Sequence, residues 1–205
     1  MADQTPKRKV GRPKKLDRGH ALRVALEGYW REGIYGMSLN EVCRRSNIAK
    51  PGLYREFGGE DGLMTAVLAL YSDQVLSKLR DLLSSDLPVD KVLRGYANGL
   101  IEQKGHPPGC LMAEMRMARE QLGPGTTALL DQLDEELQRR MEAWIRRARD
   151  RGVLNLAVPI DVAARHIASQ MVYAAMQAHR GVKPAQIRQG VSLSLSCYLE
   201  EPLWK

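Results

Sequence analysis

The residues with the greatest capacity for covalent chemistry are a cysteine and a histidine four positions apart, Cys110 and His106. Cys110 is expected to begin a helix, where the helix dipole favours a thiolate. With His106 as a base, such a thiolate is suited to nucleophilic attack or to sensing oxidants and electrophiles. A cysteine at a helix start is also found as a packing element. Because no third residue orients the histidine and no oxyanion-binding motif is apparent, we predict that the protein is not an enzyme.

The remaining cysteines do not suggest a metal centre or a disulfide. The chain has three cysteines, and Cys43, Cys110 and Cys197 are widely spaced. We therefore predict no disulfide framework, no metal and no cofactor, and unpaired thiols fit a cytoplasmic location. No run of about 18 apolar residues occurs, and the N-terminus lacks an apolar signal segment. The sequence thus predicts neither a membrane span nor a secretion signal.

Two short helices must position a second group of polar side chains. Ser38 is suited to capping the first helix, and Glu41, three residues later, is placed to complete a capping box. Asn47 fits a left-handed helix end. The second helix is expected to open around Lys50 and Pro51, because a proline in the first turn costs no hydrogen bond.

Leu53 and Phe57 would form the buried side of the second helix, which leaves its N-terminal end exposed. The residues at that end are Lys50, Pro51, Gly52, Tyr54 and Arg55. A base, a small residue and an aromatic hydroxyl at the start of a short helix suit the major groove of DNA, which is about 12 Å wide. The segment therefore predicts a helix-turn-helix, although any pair of short amphipathic helices shares part of this pattern.

Residues 18–71 resemble the N-terminal domain of the TetR family of transcriptional regulators. The motifs that carry the resemblance are Gly33 at the end of the first helix, Ser38 at the start of the second, and the run Leu53-Tyr54-Arg55-Glu56-Phe57. The resemblance implies a DNA-binding regulator with an all-helical ligand-binding body. It implies DNA contacts from Ser38, Asn40, Arg44, Lys50, Pro51, Gly52, Tyr54 and Arg55.

The sequence departs from the family pattern at four positions. Ala49 stands where the family usually has a Ser or Thr cap, which predicts a loss of about 1 kcal/mol. Glu56 and Glu60 replace residues that commonly meet DNA phosphates or carry a positive charge, so those two contacts are not expected here. Gly28 occupies a position in the first helix that is normally bulky and apolar.

Positive charge is concentrated at the N-terminal end of the chain. Residues 1–57 hold 13 Lys/Arg against 6 Asp/Glu, whereas residues 58–205 hold 18 of each, so the net charge of +7 lies with the predicted DNA-binding head. Residues 1–15 are predicted to form a flexible basic arm. Its Gly11-Arg12-Pro13 centre resembles an AT-hook, which would place Arg12 in the minor groove. The alternative is a solvated basic tail.

The helical periodicity of the whole chain predicts an all-α protein of about nine helices. We divide it into the arm at 1–15, a three-helix DNA-binding head at 16–59, and a helical-bundle regulatory and dimerisation body at 60–205. A long fourth helix, 60–83, would connect head and body. Further helices are expected from Pro88 to about 103, from 111 to 121, from 127 to 151, from Pro159 to 181, and from 183 to 198.

Two sets of apolar residues in the body are candidates for binding, and ordinary core packing is the alternative for both. A ligand pocket for a hydrophobic effector is predicted from adaptable side chains, namely Tyr96, Cys110, Met112, Met115, Met141, Trp144, Met171 and Tyr173. A dimer interface is predicted on the last two helices, with Ala164, Ala168, Met171, Ala175, Ile187, Val191, Leu195 and Tyr198.

Together these features predict a homodimeric transcriptional regulator, a repressor released from a palindromic operator by a small-molecule effector. It would act on double-stranded DNA in the cytoplasm, in association with the nucleoid and not with membranes. One alternative is the same fold acting as a thiol-based redox or electrophile sensor through Cys110. A more remote alternative is an architectural binder of AT-rich DNA that uses the basic arm.

Overall fold

A computed structural model describes residues 17–102, 105–107, 109–154, 156–199 and 201–204, and the predicted arm with Arg12 lies outside these ranges. The described residues form nine α-helices and no β-strand, which confirms the all-α prediction. The helices are α1 (Arg18–Gly36), α2 (Leu39–Ser46), α3 (Lys50–Phe57), α4 (Glu60–Tyr71, continuing through Ser72–Leu76 into Ser77–Ser84), α5 (Val89–Ile101), α6 (Leu111–Met117), α7 (Pro124–Asp150), α8 (Ile160–His179) and α9 (Pro184–Leu195).

Local capping signals define the first three helices. The Asp17 carboxylate accepts a hydrogen bond from the His20 backbone N–H at 2.9 Å and caps α1. Gly33, with φ at +74°, interrupts the helical geometry of α1 three residues before its end. Asn47 closes α2 in the left-handed conformation, as predicted. No side chain caps α3, as expected from Ala49.

Helix α4 contributes to two hydrophobic cores. Its first half, including Leu63 and Leu68, packs with α1–α3, α6 and the beginning of α7. Its last part, with Leu79 and Leu83, packs with α5, α7, α8 and α9. Between these parts the helix widens into one π-helical turn, Ser72–Leu76.

The first turn of α4 is attached to the body through the carboxylate of Asp61. This carboxylate accepts hydrogen bonds from the backbone N–H groups of Gly125 at 2.8 Å and Thr126 at 2.9 Å, and from the Thr126 hydroxyl at 2.7 Å. Asp61 therefore caps α7, a helix more than 60 residues away in the chain. A Cβ atom on Gly123 would overlap the Asp61 side chain, so this approach requires glycine.

The last part of α4 is attached to α7 by an ion pair. Arg80 Nε donates to Glu136 Oε1 at 3.0 Å, and its Nη2 donates to the hydroxyl of Ser72 at 2.7 Å. Hydrogen bonds from Arg80 and Arg140 lower the pKa of Glu136 below its usual range. Both ends of α4 are thus held against the same helix.

Three predicted helix boundaries differ from the structure. Helix α6 ends at Met117 and is followed by a separate 3₁₀ turn, Arg119–Gln121, instead of running to 121. Helix α7 begins at Pro124 and not at 127, because proline is accepted in a first turn and Asp61 supplies the cap from outside the segment. Helix α9 ends at Leu195, before Tyr198.

Almost all of the predicted dimer-interface residues lie in the core of a single chain. The small-residue face of α8 packs against α5, α7 and α9 of the same chain. The buried members are Ala164, Met171, Ala175, Ile187, Val191, Leu195 and Tyr198. Ala168 lines an internal cavity. The periodicity of the two helices identified an apolar face correctly but not its partner.

Within the described ranges, no helix is both long enough and apolar enough to span a membrane. The same residues contain no cluster of three or more His, Cys, Asp or Glu side chains that could hold a metal ion.

We predict that Asp61→Asn lowers the free energy of unfolding by about 1–3 kcal/mol, the usual cost of disrupting charge-assisted hydrogen bonds. Desolvation acts to raise the pKa of Asp61, but hydrogen bonds from Thr126, Gly125 and Thr65 outweigh it and lower the pKa. The folded protein therefore binds this proton less readily than the unfolded chain. The stabilisation is complete above about pH 4 and is lost as the pH falls through the lowered pKa.

Urea unfolding followed by circular dichroism at several pH values measures this effect. Asp73→Asn is the matched control, because Asp73 is exposed on the same helix and has no partner among the described residues. Equal effects of the two substitutions would contradict the prediction, as would a difference that grows in acid.

Candidate nucleic-acid interface and ligand cavity

The second helix of the predicted helix-turn-helix, α3, exposes the side chains expected of it. Leu53 is fully buried and anchors the helix, whereas Tyr54 is 45% exposed. Lys50 and Arg55 are also exposed, and Lys50 Nζ lies 5.9 Å from the centre of the Tyr54 ring. The structure therefore brings a base and an aromatic hydroxyl together at the N-terminal end of α3.

Of the other predicted DNA-contacting residues, all but one are exposed. Pro51 is exposed and Gly52 is half-buried in the first turn of α3. Ser38 and Asn40 are exposed at the start of α2. The Ser38 hydroxyl accepts the Glu41 N–H at 3.2 Å, which confirms the predicted N-cap.

The predicted reciprocal half of the capping box is wrong, because Glu41 binds arginines instead. Its carboxylate accepts from Arg44 Nε at 2.8 Å and from Arg45 Nε at 2.6 Å. These hydrogen bonds lower the pKa of Glu41 to about 2. Arg45 also pairs with Glu32, which connects α2 to α1. Arg44, a predicted DNA contact, is therefore engaged within its own helix.

Ion pairing leaves few free cations on the head. Arg18 Nε lies 3.1 Å from Glu56, the acidic residue that departs from the family pattern, and its guanidinium stacks over Phe57. Lys50 and Arg55 have no carboxylate partner among the described residues. The charge available to a phosphate on α3 thus comes from these two side chains.

Close backbone packing fixes the end of α3. A Cβ atom on Gly62 would overlap the carbonyl oxygen of Phe57, so the last turn of α3 rests directly on the first turn of α4. Elsewhere in the head, Gly28 is explained by Met37, whose Cε would lie 2.6 Å from an added Cβ. The Met37 side chain fills the space that a bulky residue on α1 would otherwise occupy.

A cavity of about 980 Å³ lies in the body between α4, α5, α6, α7 and α8. Four of the eight predicted pocket residues line it, namely Tyr96, Cys110, Met112 and Met141. The other four do not. Met115 and Met171 are buried in the two cores, Tyr173 is 48% exposed, and Trp144 borders a separate small pocket. Spacing along a helix could not separate these cases, because a side chain on the cavity wall and one in the core can share the same apolar face.

Cys110 lies in the cavity wall, but His106 does not act on it. The Tyr71 hydroxyl donates to Cys110 Sγ at 3.5 Å. The His106 ring is stacked on Trp30 of α1 at 5.0 Å, and its Nδ1 lies 2.8 Å from the Pro107 carbonyl oxygen. Cys110 occupies the N-cap position of α6 with an extended backbone. The predicted pairing of a thiol with a histidine base is therefore absent from the described contacts.

The contacts through which the cavity touches the head were not predicted from the sequence. Tyr71 and His106 both line the cavity and both pack on Trp30, whose ring lies 4.9 Å from that of Tyr71 in an edge-to-face arrangement. Nor was Arg116 predicted, which lines the cavity and donates through Nε to Asp134 Oδ2 at 2.9 Å. These contacts join segments far apart in the sequence, and no local pattern indicates them.

Comparison with known proteins agrees with this arrangement. The sequence profile described as "Bacterial regulatory proteins, tetR family" matches residues 21–67, which cover α1–α3 and the first part of α4. The chain is 33% identical over 113 residues to the HTH-type transcriptional repressor ComR of Escherichia coli K12, covering 53% of this chain and 54% of ComR. It is 30% identical over 118 residues to the repressor BdcR of the same strain, covering 56% and 59%. The matched region thus spans about half the length of these relatives.

Solved structures extend the similarity to nearly the whole chain. A cysteine mutant of the TetR family transcriptional regulator CifR, complexed with 26-base-pair operator DNA, has a TM-score of 0.74 at 26% identity and covers 92% of this chain and 100% of its own. The reduced form of Escherichia coli NemR has a TM-score of 0.73 at 17% identity, covering 90% and 97%, and shares the fold. The head motif and the match over residues 21–67 thus identify a DNA-binding domain of the tetR family at the N-terminal end of the described chain, and the nine-helix architecture of the described residues is the fold of solved TetR family regulators.

Proposed function

We propose that this protein is a transcriptional repressor that binds a palindromic operator as a homodimer and is released by a small-molecule effector. The observation that carries the proposal is the exposed N-terminal end of α3, where Lys50, Tyr54 and Arg55 face outward around the buried anchor Leu53. ComR and BdcR are both named as repressors, and the CifR structure contains operator DNA. Half-site centres would lie about 34 Å apart, or a small multiple of that distance.

In this proposal residues 16–59 read DNA and residues 60–205 bind the effector and the second subunit. The cavity supports the proposal that an effector controls DNA binding, because two of its wall residues, Tyr71 and His106, pack on Trp30 of the head. A ligand that displaces either ring changes the packing of α1. Catalysis has no support here, because the relatives with assigned roles are regulators.

We place the dimer contact on the outer faces of α8 and α9. Val162 and Tyr173 are exposed on α8, and Leu193 is 77% exposed on α9. These two helices pack against each other, so their outer faces form adjoining surfaces of the body. Large apolar side chains exposed on adjoining helices are typical of a surface that a second copy covers.

Release through a thiol is the second candidate, and the position of Cys110 in the cavity wall favours it. Oxidation or alkylation of its Sγ would break the hydrogen bond from Tyr71 and add bulk beside the Tyr71 ring, which packs on Trp30. The other two described cysteines are free thiols, so an internal disulfide is not formed in this state.

We predict that Lys50→Ala weakens operator binding about tenfold or more, as expected for a contact to a base or phosphate. The operator is first found by selecting bound duplexes from a random library at about 150 mM salt, because affinity depends strongly on salt. Lys91→Ala is the control, since Lys91 is exposed on α5 and its loss changes the net charge equally. Sequence-independent enrichment would instead support the architectural alternative, which relies on the arm and Arg12.

We predict that Leu193→Asp converts the dimer to a monomer in analytical ultracentrifugation, because a buried unpaired carboxylate opposes association. Leu87→Asp is the control, since Leu87 is 49% exposed in the loop before α5. If the Leu193→Asp protein stays dimeric, the interface lies elsewhere on the body.

We predict that Cys110→Ser retains both operator binding and release by a reversibly bound effector. The serine hydroxyl preserves an acceptor for Tyr71 and removes the nucleophilic sulfur. Fluorescence anisotropy with labelled operator, before and after addition of the effector, measures this. Loss of release in the variant, together with unchanged operator affinity, would establish the thiol-based alternative.

A further inference from the structure

The walls of the cavity are mainly carbon. Leu79 and Leu82 line it from α4, Leu137 and Met141 from α7, and Val172 from α8. A volume of about 980 Å³ is large enough to enclose a drug-sized molecule. Burial of apolar surface therefore supplies most of the binding free energy for any occupant.

The less exposed charged groups of the cavity wall, Arg116, Asp134 and Glu102, are already paired. Arg116 donates to Asp134 through Nε at 2.9 Å, and Arg188 donates to Glu102 at 2.7 Å. An ionised ligand would have to break one of these pairs or remain without a counter-ion in an apolar site. Either alternative carries a large desolvation cost.

The charges at the edge of the cavity are exposed to solvent. Arg165 lies 3.6 Å from Asp161, and Glu135 lies 3.4 Å from Arg139. Lys78 is also exposed and keeps its hydration. A solvated lysine offers little to an anion, because attraction in water is weak.

Tyr96 places an unused hydrogen-bond donor in the cavity wall. Its hydroxyl has no hydrogen-bond partner among the described residues, whereas the hydroxyl of Tyr71 is used by Cys110. Burial, and secondly the nearby Cys110, raise the pKa of Tyr96, so the phenol keeps its proton. A half-buried O–H without a partner gains free energy from any acceptor placed beside it.

We propose that the effector cavity accepts an uncharged, mainly apolar molecule with a carbonyl or similar oxygen that accepts a hydrogen bond from the Tyr96 hydroxyl. The identification of the cavity as an effector site rests on the proposed function, whereas the inferred chemistry of its ligand does not. Tyr96 is the specificity-determining residue, since its hydroxyl is a donor held by burial among the mainly apolar walls.

Three probes with one carbon skeleton test the inference. Benzophenone carries the acceptor oxygen, diphenylmethane lacks it, and 4-benzoylbenzoate adds a negative charge. Isothermal titration calorimetry on the full chain without DNA should show benzophenone binding about three- to tenfold more tightly than diphenylmethane, the value of one neutral hydrogen bond. The benzoate should bind more weakly than benzophenone.

Tyr96→Phe should reduce benzophenone affinity to that of diphenylmethane and leave diphenylmethane affinity unchanged, which also shows that the cavity is intact. Tyr35→Phe is the matched control, because Tyr35 is 71% exposed on α1 and does not line the cavity. Three results would overturn the inference: no benzophenone binding, equal loss of both neutral probes in Tyr96→Phe, or a benzoate that binds as tightly as benzophenone. If the preferences hold but no probe affects operator affinity, ligand release is wrong and this inference stands.

Discussion

The hydrogen bonds from α7 to the Asp61 carboxylate are the constraint on which the arrangement of head and body depends. They hold the first turn of α4 at the start of the longest helix, while the Arg80–Glu136 pair holds the last part of α4 to the same helix. Because α3 ends against Gly62 in that first turn, the position of the recognition helix follows from the position of α4. A shift of α4 relative to α7 therefore moves the DNA-reading surface directly.

The cavity lies between these two attachments, at the point where α4 is least regular. The π-helical turn Ser72–Leu76 contributes Val75 and Leu76 to the cavity wall, and Tyr71 precedes it. Single π-helical turns within α-helices are rare and are often found at functional sites. Trp30, packed against Tyr71, has a buried indole N–H without a hydrogen-bond partner among the described residues. The contact between cavity and head thus contains a polar group that a rearrangement of α1 can satisfy.

The sequence revealed the features that depend on neighbours in the chain. The caps at Asp17, Ser38 and Asn47, the uncapped start of α3 and the buried stripe of α4 all follow from spacing and residue type. Features that depend on distant residues were missed. Asp61 caps a helix from a remote segment, and the alanine face of α8 packs inside its own chain. Glu41 is a local exception, because it binds Arg44 and Arg45 instead of its own helix end. Apolar periodicity identifies a buried face without naming what covers it.

The positions of the cations indicate that attraction to DNA and recognition of its sequence depend on different segments of the chain. In α1–α3, Arg18, Arg31, Arg44 and Arg45 are paired with carboxylates. Two of these pairs connect helices, because Glu56 lies on α3 and Glu32 on α1. Residues 17–57 keep only a small positive excess. Most of the net charge belongs to residues 1–16, which hold six Lys/Arg and one Asp. Since each neutralised phosphate contributes about 0.9 to the salt dependence, the steepness of that dependence should reside in this segment, and discrimination between sequences in α3.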